Sequence, residues 1–415
     1  MVTLRLAVAP QSNPERPSIL AHARRLLPGV VAGAADLDPA AVLTAIVAGA
    51  SFGTSMGWVV LICIPVLHTV FAVSSRIGQE TGQGLIDLVR AYHGRGKAIT
   101  LACLILAVNL AMIIGDIVAV ADSCSLITAL PRAYFLAAIA FVVWYLLIIG
   151  NYQKTTRALG TMSLILVAYV VAAYEVSGSL LTAARDIVVP SIQMSQAYTM
   201  GVVAVFGSLL TPDVIVWQTS SRRGVPRGVA QAHVGESHAG TFVACVISLS
   251  AMIAASQIQV AEPSAMSTRT AAEALAGFGP VGPVLFALGI VASGLIALPI
   301  LVASLCFAAS EAFGWESGLS IPPWRARFFY VMISGTVVIA VIIDFIGVNT
   351  VKVLYGSQVL AGIVLVPIFL YILTISNNQK LMSTPNTNLQ NFWLGCATGG
   401  MVISNLLFFW NALFH

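Results

Sequence analysis

About eleven apolar runs of roughly 20 residues each occupy most of this sequence, and only short polar or Gly/Pro-containing connections separate them. A run of this length crosses the hydrocarbon core of a bilayer as an α-helix, which satisfies its backbone hydrogen bonds internally. Charged residues make up 9% of the chain, whereas a soluble domain carries about 25%. The sequence therefore predicts an all-α membrane protein with almost no soluble part.

The bounds of these spans follow from the apolar runs and from the breakers between them. A cytoplasmic tail of residues 1–27 precedes the first span, and it lacks the apolar core and cleavage site of a signal peptide. We therefore expect no signal peptide. The predicted spans are 28–51, 54–75, 97–122, 132–150, 158–178, 197–220, 237–258, 280–309, 327–346, 352–376 and 391–413.

Lysine and arginine residues indicate how the spans are oriented. If the N-terminus is cytoplasmic, 16 of the 20 basic residues lie in inside segments, and only Arg132, Arg185, Arg269 and Lys352 lie outside. This asymmetry follows the positive-inside rule. The sequence predicts a multi-pass protein of the cell (plasma) membrane with a cytoplasmic N-terminus and an external C-terminus. The net charge of +4 then reflects topology, so we expect the lipid bilayer and a small substrate as partners, and no nucleic acid.

Cysteines and short motifs argue against an enzyme or a resident metal. Two enzyme-like strings, Gly49–Gly53 and Gly277–Gly282, lack the strand that a nucleophile elbow or a dinucleotide fingerprint requires. The cysteines show no CxxC or Cys/His spacing, so we expect no disulfide, no zinc site and no permanently bound cofactor. We interpret as small core hydrophobes the five that lie in apolar spans: Cys63, Cys103, Cys245, Cys306 and Cys396.

The first and sixth spans carry the same kind of interruption. The first contains Gly33–Pro39, and the sixth contains Gly207–Asp213, so that each has a proline and an aspartate at mid-membrane depth. Pro39 and Pro212 each open a run of five spans, and because five is odd the second run must be inverted relative to the first. Paired broken helices in inverted halves are typical of alternating-access transporters, in which the unwound backbone binds the substrate.

This repeat divides the chain into four predicted parts. The tail 1–27 is followed by a first inverted repeat of helices 1 to 5 at 28–178 and a second of helices 6 to 10 at 179–376. Residues 377–415 form a loop and an eleventh helix outside the repeat.

Acidic side chains accompany both interruptions. An aspartate at the bilayer centre costs about 2.5–3.5 kcal/mol on insertion scales, so intramembrane acids are functional candidates. Asp36 and Asp38 lie at the first break, and Asp213 lies at the second. On helix 3, Asn109 and Asp116 are seven residues apart and share one face of the helix. These residues predict a cation site, although one or more of the acids can instead carry protons.

Four further polar residues receive separate interpretations. Thr211 and Gln218 are neighbours of the second break and are candidates to face the site. Asp122, near the outer end of helix 3, is interpreted as structural or vestibular, and His68 as a core histidine.

Taken together, these residues resemble the NRAMP family of proton-coupled divalent-metal transporters, and its divergent prokaryotic branch in particular. The resemblance covers nearly the whole chain and implies a LeuT-type 5+5 inverted repeat with helices 1 and 6 unwound at mid-membrane. It rests on Gly33–Pro39 with Ala48–Gly53, Ser75–Gly78 with Thr81–Gly84, Thr211–Gln218, and Ser357, Gln358 and Pro367 of helix 10.

The metal-binding motifs of the family are only partly present. The family combines an Asp-Pro-Gly-Asn motif with a Met-Pro-His-Asn motif, whereas this chain has Asp38–Ala41 (Asp-Pro-Ala-Ala) and Thr211–Val214 (Thr-Pro-Asp-Val). Replacing the thioether by Thr211 makes the site all-oxygen, which suits a harder and partly hydrated cation. From these motifs together with the intramembrane acids we predict Asp38, Asp213, Thr211, Ala35, Gln218 and Gln358 as substrate-binding residues, Asp38 and Asp213 as metal ligands, and Asp116, Asn109 and Asp36 as a proton pathway.

Three functions stay open at this point. The first is a monomeric secondary transporter that moves a divalent cation of the manganese or magnesium type, with the proton as candidate coupling ion. The second is a transporter of the same fold that moves a non-metal solute such as an organic cation, an amine or another metabolite, because the Asn and Met ligands are missing. The third is a membrane protein that has lost turnover, although no soluble output domain is visible.

Overall fold

The structure is a computed structural model, and it describes residues 37–149, 159–177, 185, 187–188, 192–223, 227–258, 260, 266–319, 321–344 and 349–414. Only the backbone is described at 227–239, 344 and 414. The predicted tail and two predicted site residues, Ala35 and Asp36, lie outside the described residues.

The described chain is almost entirely helical. A 3₁₀ turn at Ser163–Val167 precedes α6, and a 3₁₀ helix at Glu273–Val281 joins α10 to α11. In chain order the helices are α1 (Pro39–Phe52), α2 (Gly57–Thr81), α3 (Leu85–His93), α4 (Arg95–Thr128), α5 (Ala133–Ile148), α6 (Ala168–Ser177), α7 (Gln196–Leu209), α8 (Pro212–Ser221), α9 (Arg227–Ala255), α10 (Thr268–Ala272), α11 (Gly282–Phe313), α12 (Arg327–Asp344), α13 (Thr350–Ser376) and α14 (Asn388–Phe414).

The prediction of an all-α, multi-pass membrane protein is confirmed. Within the described residues, seven helical segments are long and apolar enough to cross a bilayer, among them α2, α4, α13 and the pair α7 and α8 taken as one segment. Four shorter apolar segments accompany them: Pro39–Phe52, Ala133–Ile148, Gly240–Ala255 and Arg327–Ile343. The count of eleven spans, the inverted repeat and the domain bounds stay predictions.

Helix α2 is longer than its predicted span, and α3 was not predicted as a separate element. We expected the span to end at residue 75, but α2 continues to Thr81, and Gly82 ends it in the left-handed conformation (φ 65°). The extension carries Arg76 and Glu80, whose polar partners lie outside the apolar runs. Helix α3 follows as a short amphipathic helix.

Glycines allow several helices to approach each other closely. A side chain at Gly207 of α7 would overlap the backbone carbonyl of Gln358 in α13, and one at Gly78 of α2 would overlap the carbonyl of Thr219 in α8. Because lipid tails are as apolar as the side chains, helices in a bilayer associate by close packing rather than by hydrophobic burial. These glycines therefore fix the positions of α7 and α8, which flank the second helix break.

Two polar clusters mark opposite ends of the bundle. At one end, which we call the α3 face, the C-termini of α2, α8 and α11 and the segment before α14 surround α3. There the Glu80 Oε2 atom accepts hydrogen bonds from the backbone N–H of Ser383 (2.9 Å) and Thr384 (3.2 Å). At the other end, the Asp122 face, Asp122 Oδ2 accepts hydrogen bonds from the hydroxyls of Thr268 (3.1 Å) and Thr350 (2.5 Å). The structural interpretation of Asp122 agrees with these contacts.

The interpretations of three residues as core residues are wrong. His68 is exposed and lines a hollow between α2, α9 and α14, so it is not a core histidine. Cys103 and Cys396 are exposed on the outer surface of the bundle, whereas Cys63, Cys245 and Cys306 are buried as expected. The sequence pattern fails here because an apolar span has a lipid-facing side as well as a core-facing side, and composition does not separate the two.

Candidate functional site

The start of α1 places Asp38 in the interior of the bundle, and the residues of the predicted first break before Leu37 lie outside the described part of the chain. Asp38 lies at the N-cap of α1 in an extended conformation, and its Oδ1 atom accepts a 2.5 Å hydrogen bond from the backbone N–H of Ala41. Pro39 occupies the first helical position, where its missing N–H leaves no donor unsatisfied. The carboxylate thus caps the positive end of a helix, and it is buried with 8% of the residue exposed.

The second break separates α7 from α8 at mid-bundle, as predicted. Helix α7 ends at Leu209, and Thr211 adopts an extended ψ of 139° before α8 begins at Pro212. Pro212 has no N–H, and its ring crowds the carbonyl four residues earlier, so it favours a break, although Pro65, Pro299 and Pro367 lie inside continuous helices. Asp213 follows in the first turn of α8, where a negative charge is stabilised by the helix dipole.

The N-terminus of α1 and the break before α8 face one cavity. Its volume is about 110 Å³, and Asp38, Thr211, Asp213 and Gln218 line it together. The remaining walls come from α2, α9 and α11. The cavity runs along α8 from the break toward the α3 face, and its other lining residues are Leu37, Leu67, Phe71, Ser208, Leu209, Val214, Trp217, Thr241, Ala244, Ala297 and Ile300.

Asp213 is fixed through its backbone by a neighbouring helix. The Ser304 hydroxyl of α11 donates a 2.8 Å hydrogen bond to the Asp213 carbonyl oxygen, and the Asn109 side-chain amide of α4 lies 3.4 Å from the Ser304 Oγ atom. The Asp213 carboxylate is buried, and its Oδ1 atom has no hydrogen-bond partner among the described residues. One carboxylate oxygen therefore remains available to a bound cation or proton.

Asp116 is fully buried on α4, behind the cavity. No hydrogen bond of ordinary geometry reaches either of its carboxylate oxygens among the described residues. The Ala40 backbone in the first turn of α1 lies within electrostatic range of it, as do the carboxyl groups of Asp38 and Asp213. A buried, unpaired carboxylate is costly, so this arrangement favours a protonated side chain or a bound cation.

Gln358 is also buried without partners. Both amide atoms of its side chain lack a hydrogen bond among the described residues, and its backbone carbonyl lies against Gly207 of α7. The residue thus lies close to the second break but is not part of the cavity wall. The role of Gln358 in substrate binding stays a prediction. The role of Asn109 in the proton pathway also stays a prediction.

Sequence reasoning missed several lining residues. Ser208 and Trp217 belong to the motif strings of helix 6, so the strings themselves contained the signal. Thr241 of α9 and Ala297 of α11 have no local signal, because only the packing of their helices brings them to the cavity. Ser304 is equally ordinary in sequence, and its contact with the Asp213 carbonyl emerges only in the fold.

The described acids do not form a dense metal cluster. Among the described residues, no group of three or more His, Cys, Asp or Glu side chains is arranged to hold a metal ion. Asp38 and Asp213 are thus two carboxylates that face one cavity, and any further ligands would be hydroxyl, amide, backbone carbonyl or water oxygens.

Comparison with family models shows which family this chain belongs to. The family model for natural resistance-associated macrophage protein-like sequences matches residues 29–411. The chain belongs to the NRAMP family. The match includes the start of α1, the break before α8 and all the described helices except the last three residues of α14, so the resemblance inferred from the motifs is confirmed.

Individual NRAMP relatives are distant. The divalent metal cation transporter MntH of Acidiphilium cryptum is 26% identical over 374 residues, which cover 86% of this chain and 82% of the relative. That of Deinococcus radiodurans is 27% identical over 378 residues, covering 84% and 82%. At this distance the architecture is shared, while individual ligands are free to differ.

The solved structures agree on the fold. A mutant of the Eremococcus coleocola manganese transporter superposes with a TM-score of 0.72 at 16% identity, covering 95% of this chain and 87% of that one. MhsT in complex with L-phenylalanine gives a TM-score of 0.57 at 14% identity, covering 93% and 97%. Both matches support the predicted LeuT-type fold class for this NRAMP protein.

Proposed function

We propose that this chain is a secondary transporter that moves a divalent metal cation of the manganese or magnesium type by alternating access. One observation carries the proposal: the buried carboxylates of Asp38 and Asp213, one from each helix break, line the same cavity. Two carboxylates in a bilayer interior are stable only with compensation by a cation or by protons. The divalent metal cation transporters among the relatives favour the metal.

The ligand chemistry favours a hard and partly hydrated cation. Thr211 and Gln218 add oxygen donors to the two carboxylates, and no thioether sulfur is among the described residues that line the cavity. A cavity of about 110 Å³ holds several waters, because a cavity volume of roughly 10–15 Å³ on the same measure is enough for one water. A cation that keeps part of its hydration shell therefore fits better than one stripped of water.

Proton coupling follows from the acids that the cation does not need. Asp116 is the proposed proton acceptor, because neither of its carboxylate oxygens has a hydrogen-bond partner among the described residues. Asn109 and Asp36 complete the proposed pathway. We further propose a monomer in the plasma membrane, with the α3 face in the cytoplasm and the C-terminus outside. The cavity then connects the helix breaks to the cytoplasmic side.

Calorimetric titration tests the metal site directly. Purified protein is titrated with manganese, magnesium and calcium at neutral pH, and the titration is repeated on Asp38→Asn and Asp213→Asn. The Asn variant of Asp38 keeps an oxygen that can accept the Ala41 N–H bond, so it removes the charge without removing the helix cap. We expect each variant to weaken binding at least tenfold, because the attraction between two unit charges about 4 Å apart is about 4 kcal/mol at an effective dielectric constant of about 20.

Glu316→Gln is the matched control for loss of one negative charge. Glu316 pairs with Arg325 at an exposed site, where its side chain is 53% exposed. Its variant should bind the cation like the parent protein. Equal binding by the parent and both Asn variants would contradict the proposed site.

A transporter of a small organic cation is the second candidate. Phe71 and Trp217 line the cavity beside the two acids, and aromatic faces bind organic cations. The absence of a third His, Cys, Asp or Glu ligand among the described residues also favours it over a tightly coordinated metal. Failure of all three metal ions to bind a folded protein, together with binding of a quaternary ammonium probe that Trp217→Ala abolishes, would select this candidate.

A further inference from the structure

A buried carboxylate on the α3 face connects three elements that are separate in sequence. Glu311, near the C-terminus of α11, is only 1% exposed. Its Oε2 atom accepts hydrogen bonds from the backbone N–H groups of Ile86 (3.1 Å) and Asp87 (3.4 Å) in the first turn of α3. Its Oε1 atom accepts a 2.5 Å hydrogen bond from the Ser220 hydroxyl at the end of α8.

Arg223 completes this cluster and balances its charge. Its guanidinium forms an ion pair with Glu311, and it lies 3.4 Å from the Asp87 carboxylate. The same guanidinium lies over the ring of Phe307, 5.8 Å from the centroid. Glu311 thus has a charged partner and neutral donors on both oxygens, which is the condition under which a buried carboxylate is stable.

Gly84 shows that the carboxylate position is built into the fold. A Cβ atom at Gly84, the N-cap of α3, would overlap the Glu311 carboxylate. The backbone of Gly84 (φ −80°, ψ 170°) is one that any residue adopts, so glycine is not required there for conformation. The absent side chain instead makes the space that Glu311 occupies.

The cluster lies at the end of the candidate cavity. Trp217 and Gln218 line the cavity, and Ser220 and Arg223 follow within six residues of Trp217 at the end of α8. Trp217 also packs against Phe307, the ring over which Arg223 lies, with 6.2 Å between the ring centroids. Movement of α8 away from α11 would widen the cavity, and it would require these contacts to break.

We infer that Glu311, Arg223, Ser220 and the first turn of α3 form a lock that holds α8 against α11 and keeps the cavity narrow toward the α3 face. The inference rests on the alternating-access part of the proposed function. Each time α8 separates from α11, the hydrogen bond from Ser220 to Glu311 and the ion pair of Arg223 with Glu311 are exchanged for contacts with water. The lock therefore sets the population of the state that is open to the α3 face.

The test measures cavity opening and needs no substrate. The cavity-lining position Ala297 is replaced by cysteine, and the protein is reconstituted in liposomes. A membrane-impermeant maleimide is then added, and the labelling rate of the Ala297→Cys thiol is read by peptide mass spectrometry, which separates it from the native cysteines. Labelling of Lys380→Cys, an exposed position on the α3 face, gives the fraction of molecules with that face outside.

Gly84→Ala is the decisive variant because it displaces the Glu311 carboxylate without changing any charge. We expect it and Ser220→Ala each to raise the labelling rate about fivefold, the factor that corresponds to one hydrogen bond of ordinary strength. Gly96→Ala is the matched control, since no atom of the described residues lies within 4 Å of a Cβ placed at that position. It should label at the parental rate.

The outcomes separate the lock from the proposed substrate. Parental labelling rates in both Gly84→Ala and Ser220→Ala, in folded protein, would overturn the lock whatever the substrate is. Faster labelling together with no binding of any metal ion would support the lock and contradict only the metal. If Gly84→Ala fails to fold, Ser220→Ala alone decides, because removing one hydroxyl leaves the ion pair of Glu311 with Arg223 intact.

Discussion

At the residue scale, the chemistry of this protein depends on where polar atoms lack partners. Asp116 and Gln358 are buried with unpaired side-chain atoms, and Asp213 has one unpaired carboxylate oxygen, among the described residues. Glu311 is equally buried but has a donor for each oxygen. Unpaired buried groups carry an energetic cost that a ligand can relieve, whereas a fully paired group stabilises the fold. We therefore expect the unpaired groups to bind a ligand, and Glu311 to stabilise the contacts between its helices.

Ser304→Ala tests the support of Asp213. The variant removes the hydroxyl that donates to the Asp213 carbonyl, so we expect the free energy of unfolding in detergent to fall by about 1 kcal/mol. Ser310→Ala is the control on the same helix, because the Ser310 hydroxyl is buried without a hydrogen-bond partner among the described residues. It should not lower the stability. Unfolding is monitored by tryptophan fluorescence. Equal free energies of unfolding for the two variants would show that the Ser304 hydrogen bond does not stabilise the protein.

At the scale of the helices, sequence predicted the start of α1 and the break before α8, but it predicted the packing poorly. Pro39 opens α1 and Pro212 opens α8, whereas Pro65, Pro299 and Pro367 lie inside continuous helices, so a proline favours a break and its surroundings decide whether one forms. The extension of α2 to Thr81 was not predicted, because a polar helix end is stabilised by partners such as Ser383 that are distant in sequence. Close helix contacts at glycine were missed for the same reason.

Gly207→Ala tests one such contact. A methyl group at this position would overlap the Gln358 carbonyl of α13, and backbone atoms cannot move aside as a flexible side chain can. We expect a loss of about 1–3 kcal/mol in stability, the usual cost of overpacking. Gly356→Ala in α13 is the control, since no atom of the described residues lies within 4 Å of a Cβ placed at that position. A thermal midpoint for Gly207→Ala equal to that of the control would mean that α7 and α13 do not pack as described.

At the scale of the whole molecule, two polar clusters lie at opposite ends of the bundle around a central cavity. The Glu311 cluster joins α3, α8 and α11, and the Asp122 cluster joins α4, α10 and α13, with Arg132 3.7 Å from the Asp122 carboxylate. The basic residues predict that the α3 face is cytoplasmic, because 16 of the 20 lie in inside segments.

Orientation is testable in intact cells. We expect an impermeant maleimide to label Leu130→Cys, an exposed position beside the Asp122 face, and to leave Lys380→Cys unlabelled until the membrane is permeabilised. The two variants serve as controls for each other, since both positions are exposed at a helix connection. The reverse pattern would place the α3 face outside and invert the proposed direction of the cavity.

The sequence by itself determined the membrane class, the family, the start of α1 at Pro39, the break before α8 and the acids beside them. These features are local: apolar length, proline chemistry and the cost of a charge in hydrocarbon act on residues close in the chain. Only the tertiary structure decided which acids share a cavity, that Ser304 supports Asp213, and that Glu311 joins three separate elements. Those facts depend on how helices pack, and in a bilayer the packing is set by close steric fit and interhelical hydrogen bonds that hydropathy does not encode.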